Sequence, residues 1–307
     1  SAASEETRRP DGDLERRGPG WRFTVRGAYA RWFPPAEFSD YAACVEARGK
    51  PLKSEDRTGV RLLERSAAAG AGEQRRSFVF KVYRYPFWPR LRTWLRASKA
   101  EQEFRNLLHL QRLGVPAVEP VGFGLERSRI GFVRSCFVIT CYAGDTVHLR
   151  DWVRREGEAA ARASDVAREV FRQVGGAFRR LHEGRFFLFS AKAKNILMRA
   201  REGEPPELMF IDIPYARSQG WGVFDRWAQS RDIGLFFSTF LPGAEDSERA
   251  PFYEAYLPDP LGGSAEALKR EVARAVRVNQ NRTLISGLVH RAKKRLRHRR
   301  RSAARSS

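Results

Sequence analysis

The spacing of apolar and polar positions divides the chain into a β-type first part and a largely helical second part. Short strands are predicted at residues 21–25 and 60–64. A stronger one spans residues 77–83, where aromatic and β-branched side chains crowd together before Pro86. Residues 65–76, rich in Gly and Ala, read as a hairpin connection. A helical pattern then runs over 98–113, with Phe104, Leu107, Leu108 and Leu110 on one face and Gly114 as its stop. Val115-Pro116 leads into residues 121–124, and a paired strand is expected at 130–133 and 137–140.

After Tyr142-Ala143-Gly144 the period becomes helical. A short helix is predicted over 146–155 and a long one over 163–183, where Val166, Val170, Phe171, Val174, Phe178 and Leu181 recur at helical spacing. Residues 186–189 form a short apolar strand in this reading. Two more, 196–198 and 208–211, are joined by the polar turn 201–206. Helices resume near Arg231 and over 264–278 and 283–296. Residues 1–20, dense in charge, Gly and Pro, read as a disordered lead-in. The expected organisation is therefore a lead-in (1–20), a β-rich lobe (21–140), a helical lobe (141–290) and a basic tail (291–307).

Composition narrows the company such a chain keeps. Its 307 residues suffice for a large core, with 42% hydrophobic residues and seven Trp. Lys and Arg number 57 against 36 Asp and Glu, a net charge of +21, and mean hydropathy is -0.53. That balance points to polyanionic partners: nucleic acid, an anionic membrane leaflet or a phosphorylated substrate. Abundant Ala, Gly and Arg are also what a GC-rich genome produces. Cys44, Cys136 and Cys141 have no CxxC spacing, which suits a reducing compartment and argues against a structural zinc site. No apolar run approaches twenty residues, and no secretory signal is present, so a cytoplasmic location is expected.

The residues that carry chemistry come in an informative order. Phosphoryl transfer needs a Lys on the inner phosphates, a helical Glu to hold that Lys, oxygen ligands for a metal and a group that addresses the acceptor hydroxyl. Lys81 lies mid-strand in Phe80-Lys81-Val82-Tyr83, and Glu103 follows on the next helix. Either alone is what a solvated strand Lys or helix Glu looks like; the two in this order match a phosphate-binding ion pair. Asn195 stands just before one strand of the second hairpin and Asp212 just after the other. Both offer the oxygen ligands that magnesium prefers.

These stretches resemble the lipopolysaccharide kinase family, whose members phosphorylate heptose or 3-deoxy-octulosonic acid (Kdo) in the lipopolysaccharide core. The resemblance rests on Phe80-Lys81-Val82-Tyr83, on Glu103-Phe104-Arg105-Asn106-Leu107 with Leu113-Gly114-Val115-Pro116, and on Leu181-His182-Glu183-Gly184. Lys194-Asn195-Ile196-Leu197, Ile211-Asp212 and Arg231-Asp232-Ile233-Gly234-Leu235 complete it. It implies an α+β, two-lobed protein-kinase-like fold and the cofactors ATP and magnesium. It also implies Lys81 on the α/β-phosphates, Glu103 paired to it, Asn195 and Asp212 on the metal, and Asp232 as a structural brace of the catalytic loop. Backbone groups of Cys141 and Ala143 would meet adenine at the hinge.

Two departures stand out. The kinase base Asp belongs five residues before the metal-binding Asn, and Ser190 occupies that place, with Leu188 where a His is usual. A serine hydroxyl cannot accept a proton at neutral pH, and loss of general-base assistance costs on the order of 10²–10⁴ in rate. Lys192, and Lys194 beside it, stand where a γ-phosphate Lys is placed, although a solvated basic loop looks the same. The phosphate-covering segment, residues 53–60, has only Gly59 where kinases carry several glycines.

The expected function is thus an ATP-dependent sugar kinase acting on a lipid-linked glycan. A pseudokinase scaffold is the alternative that Ser190 raises, and a basic adaptor that borrows the fold is a third. Residues 291–301 carry no acid and no aromatic side chain. An anionic membrane surface is ranked above nucleic acid as their partner, which would place the protein peripherally at the inner membrane; a solvated terminus reads equally well.

Overall fold

The computed structural model describes residues 5–9, 12–34, 36–46, 49–55, 58–69, 72–86, 97–218 and 222–282. The chain forms two compact units. One comprises Ser1–Val147, Leu197–Ala200 and Glu207–Arg217, and the other His148–Ile196, Arg201–Pro206 and Ser218–Ser307.

The first unit is built on one antiparallel sheet of eight strands. In chain order these are β1 (Glu5–Arg8), β2 (Leu14–Gly18), β3 (Trp21–Val25), β4 (Lys50–Glu55), β5 (Thr58–Ala69), β6 (Gly72–Arg84), β7 (Pro120–Arg127) and β8 (Val133–Cys141). Their spatial order is β1-β2-β3-β7-β8-β6-β5-β4. A disordered lead-in is therefore not what the described part of residues 1–20 forms. The charges that suggested disorder pair with one another within and across the β1–β2 hairpin. Glu15, 2% exposed, meets Arg9 at 2.8 Å and also Arg17, while buried Arg16 meets Glu6 at 2.5 Å.

Two further expectations change. Residues 65–69 and 72–76 continue the β5–β6 ladder, which stays in register to Ala69 opposite Gly72. Ile130 is 70% exposed in a turn closed by Ser128 and Phe132, and β8 pairs with β7 instead. A run of apolar letters does not reveal which neighbour a strand will choose.

Both faces of this sheet are covered. On one, a 3-10 turn (Gly27–Trp32) and α1 (Tyr41–Glu46) bring Tyr29, Trp32, Phe33, Phe38 and Cys44 against Phe23, Phe78, Phe80 and Phe137. On the other lies α2 (Lys99–Arg112), whose Phe104 packs with Phe123, Leu125, Val138 and Cys136. Ser98 caps α2 by accepting the Glu101 amide, and Gly114 ends the turn at φ 65, a left-handed conformation natural to glycine.

Five short strands follow: β9 (Val147–His148), β10 (Phe186–Phe187), β11 (Ile196–Arg199), β12 (Glu207–Phe210) and β13 (Arg217–Ser218). Residues 188 and 189 do not extend β10, because their amides are spent on Asp232. Phe210 exchanges backbone hydrogen bonds with Pro116 and Val118, which ties the segment before Asp212 to the chain leading into β7.

The second unit is helical: α3 (Leu149–Glu156), α4 (Glu158–Ala163), α5 (Asp165–Glu183), α6 (Gly222–Phe237), α7 (Asp246–Tyr256) and a last helix over 265–282. The Ser164 hydroxyl caps α5, so the predicted helix at 163–183 begins at Asp165 and is preceded by the separate α4. The α5 positions Val170, Phe171, Val174, Phe178 and Leu181 are all buried. Phe171 and Phe178 meet Phe236 of α6, and Phe178 also meets Phe252 of α7. Gly175 lets α7 approach, since a Cβ there would strike the Phe252 carbonyl. The expected helix 283–296 and basic tail lie outside the described residues. Among the described residues no helix is long and apolar enough to cross a membrane.

Candidate phosphate site and catalytic loop

Strand alternation aims β6 at two different tasks. Phe78, Phe80 and Val82 enter the aromatic core, so Lys81 and Tyr83 fall on the opposite face, toward α2. There Lys81 Nζ lies 3.3 Å from both carboxylate oxygens of Glu103 and 2.6 Å from Asp212 Oδ1. The Tyr83 hydroxyl donates to Glu103 Oε2 at 2.5 Å. Glu103 is 3% exposed, whereas the Asp212 side chain keeps 40% of its surface.

Electrostatics follow from that geometry. Burial by itself pulls the Lys81 ammonium down, but Glu103 and Asp212 outweigh it and hold the group above its ordinary value. Burial raises the Glu103 carboxyl, and Lys81 opposes it. Tyr83 is pushed well up by burial and by the carboxylates of Glu103 and Asp212, so it stays a phenol that donates to Glu103. Asp212 stands at φ 54, a left-handed conformation uncommon outside glycine and concentrated at functional sites.

The segment after Asp212 is clamped from the same helix. Asn106, one turn beyond Glu103 on α2, donates its side-chain amide to the carbonyls of Ile213 at 2.7 Å and Ala216 at 2.9 Å. At the hinge, the Cys141 amide is taken by the Glu119 carbonyl at 2.8 Å and the Tyr142 amide by Ser77 at 3.0 Å. The Ala143 carbonyl accepts from the Thr146 hydroxyl at 2.7 Å.

In the second unit the loop at 188–195 is organised by a buried carboxylate. Asp232, fully buried on α6, accepts the Leu188 amide at 2.6 Å and the Phe189 amide at 2.7 Å. Phe189 takes φ 55. Ser190 Oγ donates to the Leu188 carbonyl at 3.3 Å. Its own carbonyl accepts from the Asn195 side-chain amide at 2.8 Å and the Lys192 amide at 2.7 Å. The Ala193 amide donates to the Thr239 hydroxyl at 3.0 Å. Burial and the nearby cations Lys194 and Arg231 hold the Lys192 ammonium below its ordinary value.

Of the residues expected from the sequence, Lys81, Glu103 and Asp212 meet in the first unit, and Ser190, Asn195 and Asp232 share one loop system in the second. Tyr83 and Asn106 were not anticipated. Tyr83 was legible in principle, since its strand parity matches that of Lys81; Asn106 had no signal in a single sequence.

A carboxylate with open surface beside a buried ammonium suits a divalent cation and phosphate oxygens, as the hard oxygen donors of Asp212 allow. Comparison with known proteins agrees with the fold. The model of the lipopolysaccharide kinase (Kdo/WaaP) family matches residues 67–256, more than half of the chain. No curated protein matches the sequence. A solved structure described as WaaP in complex with acyl carrier protein superposes with a TM-score of 0.56 at 15% identity. That match covers 83% of this chain and 98% of the other, a likeness of protein-kinase-like fold. With the extent of the family match, the chain belongs to the lipopolysaccharide kinase (Kdo/WaaP) family.

Proposed function

We propose that this protein transfers a phosphoryl group from ATP, with magnesium, to a hydroxyl of a heptose or Kdo unit in a lipid-linked lipopolysaccharide core. The observation that carries this is the contact of Lys81 with both Glu103 and Asp212. Glu103, held by Tyr83, keeps the ammonium charged and aimed at the inner phosphates. Asp212 and Asn195 are assigned as magnesium ligands; the ion, when bound, offsets charge on phosphate oxygens. The Cys141 carbonyl and Ala143 amide address the adenine edge. Asp232 holds the 188–195 loop, and Lys192 is offered to the transferred phosphoryl group.

The chain has no carboxylate at the place of the base, so transfer here rests on positioning and charge neutralisation, which a largely dissociative transition state permits. The second reading, a nucleotide-binding scaffold without transfer, is favoured by one observation: Ser190 Oγ donates to its own loop at Leu188. Incubation with labelled ATP, magnesium and core lipopolysaccharide decides between them. Label that enters the glycan and is lost in Asp212→Ala supports the kinase. ATP binding without incorporation supports the scaffold. The basic run 291–301 is proposed to hold the protein on an anionic leaflet, tested by sedimentation with phosphatidylglycerol vesicles with and without that run.

A further inference from the structure

A second surface in the helical unit has the makings of a sugar site. Trp227 of α6 is 52% exposed and Phe224, three residues before it, 60% exposed. Large aromatics left bare on a helix otherwise well packed call for a ligand or a partner. Arg231, four residues on and hence on the same face, carries its guanidinium 5.4 Å from the Trp227 ring. The Phe189 ring stands 6.1 Å from Trp227. Phe189 is brought there in a left-handed backbone conformation, held by Asp232, and is followed directly by Ser190.

Three cations, Lys192, Lys194 and Arg231, stand together beside this platform, while the buried Asp232 carboxylate is spent on the Leu188 and Phe189 amides. Arg231 and Lys194 both act on Lys192, and among the described residues no carboxylate forms an ion pair with any of the three. An exposed indole matches the apolar C–H face of a pyranose, and a guanidinium at its edge matches an anion. A neutral sugar would leave the cations unanswered, and a simple anion would leave the indole bare.

We propose that Trp227, Phe189 and Arg231 form the acceptor subsite, and that the acceptor unit is a sugar bearing an anionic group, either a carboxylate or a phosphate ester. The stack orients the ring, and Arg231, backed by the positive field of Lys192 and Lys194, fixes the anion. The word acceptor rests on the phosphoryl-transfer reading above; the binding of an anionic sugar does not.

The test is an NMR titration of the full chain without nucleotide, following the Trp227 indole N–H, assigned with Trp227→Phe, and, in wild type and every variant alike, saturation transfer to the sugar protons. The probes are free Kdo, its carboxyl-reduced analogue and a heptose phosphate. The expected result is saturable binding of one or both anionic sugars and none of the reduced one. Kdo alone identifies the carboxylate as the source of charge, and heptose phosphate alone identifies the ester. Trp227→Ala weakens binding roughly tenfold or more, Trp227→Phe loses less, and Arg231→Gln erases the preference for the anionic form. Arg231→Lys, which keeps the charge, keeps that preference. Reduced and acidic sugars binding alike, no binding to wild type, or wild-type binding in both Trp227→Ala and Arg231→Gln overturns the assignment. Sugar binding with this pattern in a protein that transfers no phosphate leaves the subsite standing and removes only the kinase reading.

Discussion

Asn106 donates its side-chain amide to the backbone carbonyl of Ile213 at 2.7 Å, one residue after Asp212. The bond makes α2 responsible for two things at once. Glu103 holds the ammonium that touches the Asp212 carboxylate, and Asn106 holds the backbone that presents it. Asn106→Ala is therefore expected to lower kcat ten- to a hundredfold through misplacement of Asp212, with a smaller change in ATP affinity. Asn106→Asp, equal in shape but without the N–H donors, fails to rescue it. Steady-state kinetics read beside a thermal melt separate this from unfolding.

Lys81 neutralises two carboxylates, one of them fully enclosed. Lys81→Met leaves Glu103 buried without its cation and should cost about 3 kcal/mol in urea unfolding, besides loss of nucleotide binding. Adding Glu103→Gln should restore much of the stability but not the binding. A double variant no more stable than Lys81→Met would show that the pair contributes little to the fold.

Asp232 answers two buried amides, Leu188 and Phe189. Its replacement by Ala leaves both donors without that acceptor, at about 1.5–3 kcal/mol for each charged hydrogen bond. The expected result is a much less stable protein with a disordered 188–195 loop, visible as fast amide exchange at 188 and 189. Asp232→Asn, with one acceptor oxygen, should fall between.

Lys192 sits under burial and the repulsion of Lys194 and Arg231, so its folded value lies below the unfolded one near 10.5. The sign follows directly: the penalty is full at neutral pH, where both states carry the proton, and fades as pH rises from the folded value to 10.5. Lys192→Met should thus raise the melting temperature at pH 7, by a small amount because solvent screens the partly exposed ammonium. The gain should shrink as pH approaches 10.5. A constant gain across that range would trace it to packing.

Ser190→Asp restores a carboxylate at the place of the missing base. If the loop at 188–195 admits it, the rate should rise by a factor on the order of 10²–10⁴. An unchanged rate in a well-folded variant would mean that chemistry does not limit turnover.

Where the sequence was legible, a local rule was enough. The α2 stripe of Phe104, Leu107 and Leu110 with its Gly114 stop, and the α5 stripe from Val170 to Leu181, follow from helical period and end chemistry. Helix α7 was missed because Pro251 and a polar start blur its period, while Phe252 and Tyr256 bury themselves only against α5 and α6. Residues 5–18 were misread because charge pairing across strands is invisible when the letters are read in line.

The candidate site divides in the same way. Order and spacing by themselves marked Lys81, Glu103, Asn195 and Asp212, because the chemistry of a phosphate site demands those residue types in that succession, whereas Asp232 came only with the family resemblance. Only the tertiary structure decided that Lys81 reaches Glu103 and Asp212 together, that Tyr83 and Asn106 hold them, and that Phe189 and Arg231 flank the exposed Trp227. A sequence lists donors and acceptors; which of them meet depends on strand pairing and helix packing between residues far apart in the chain.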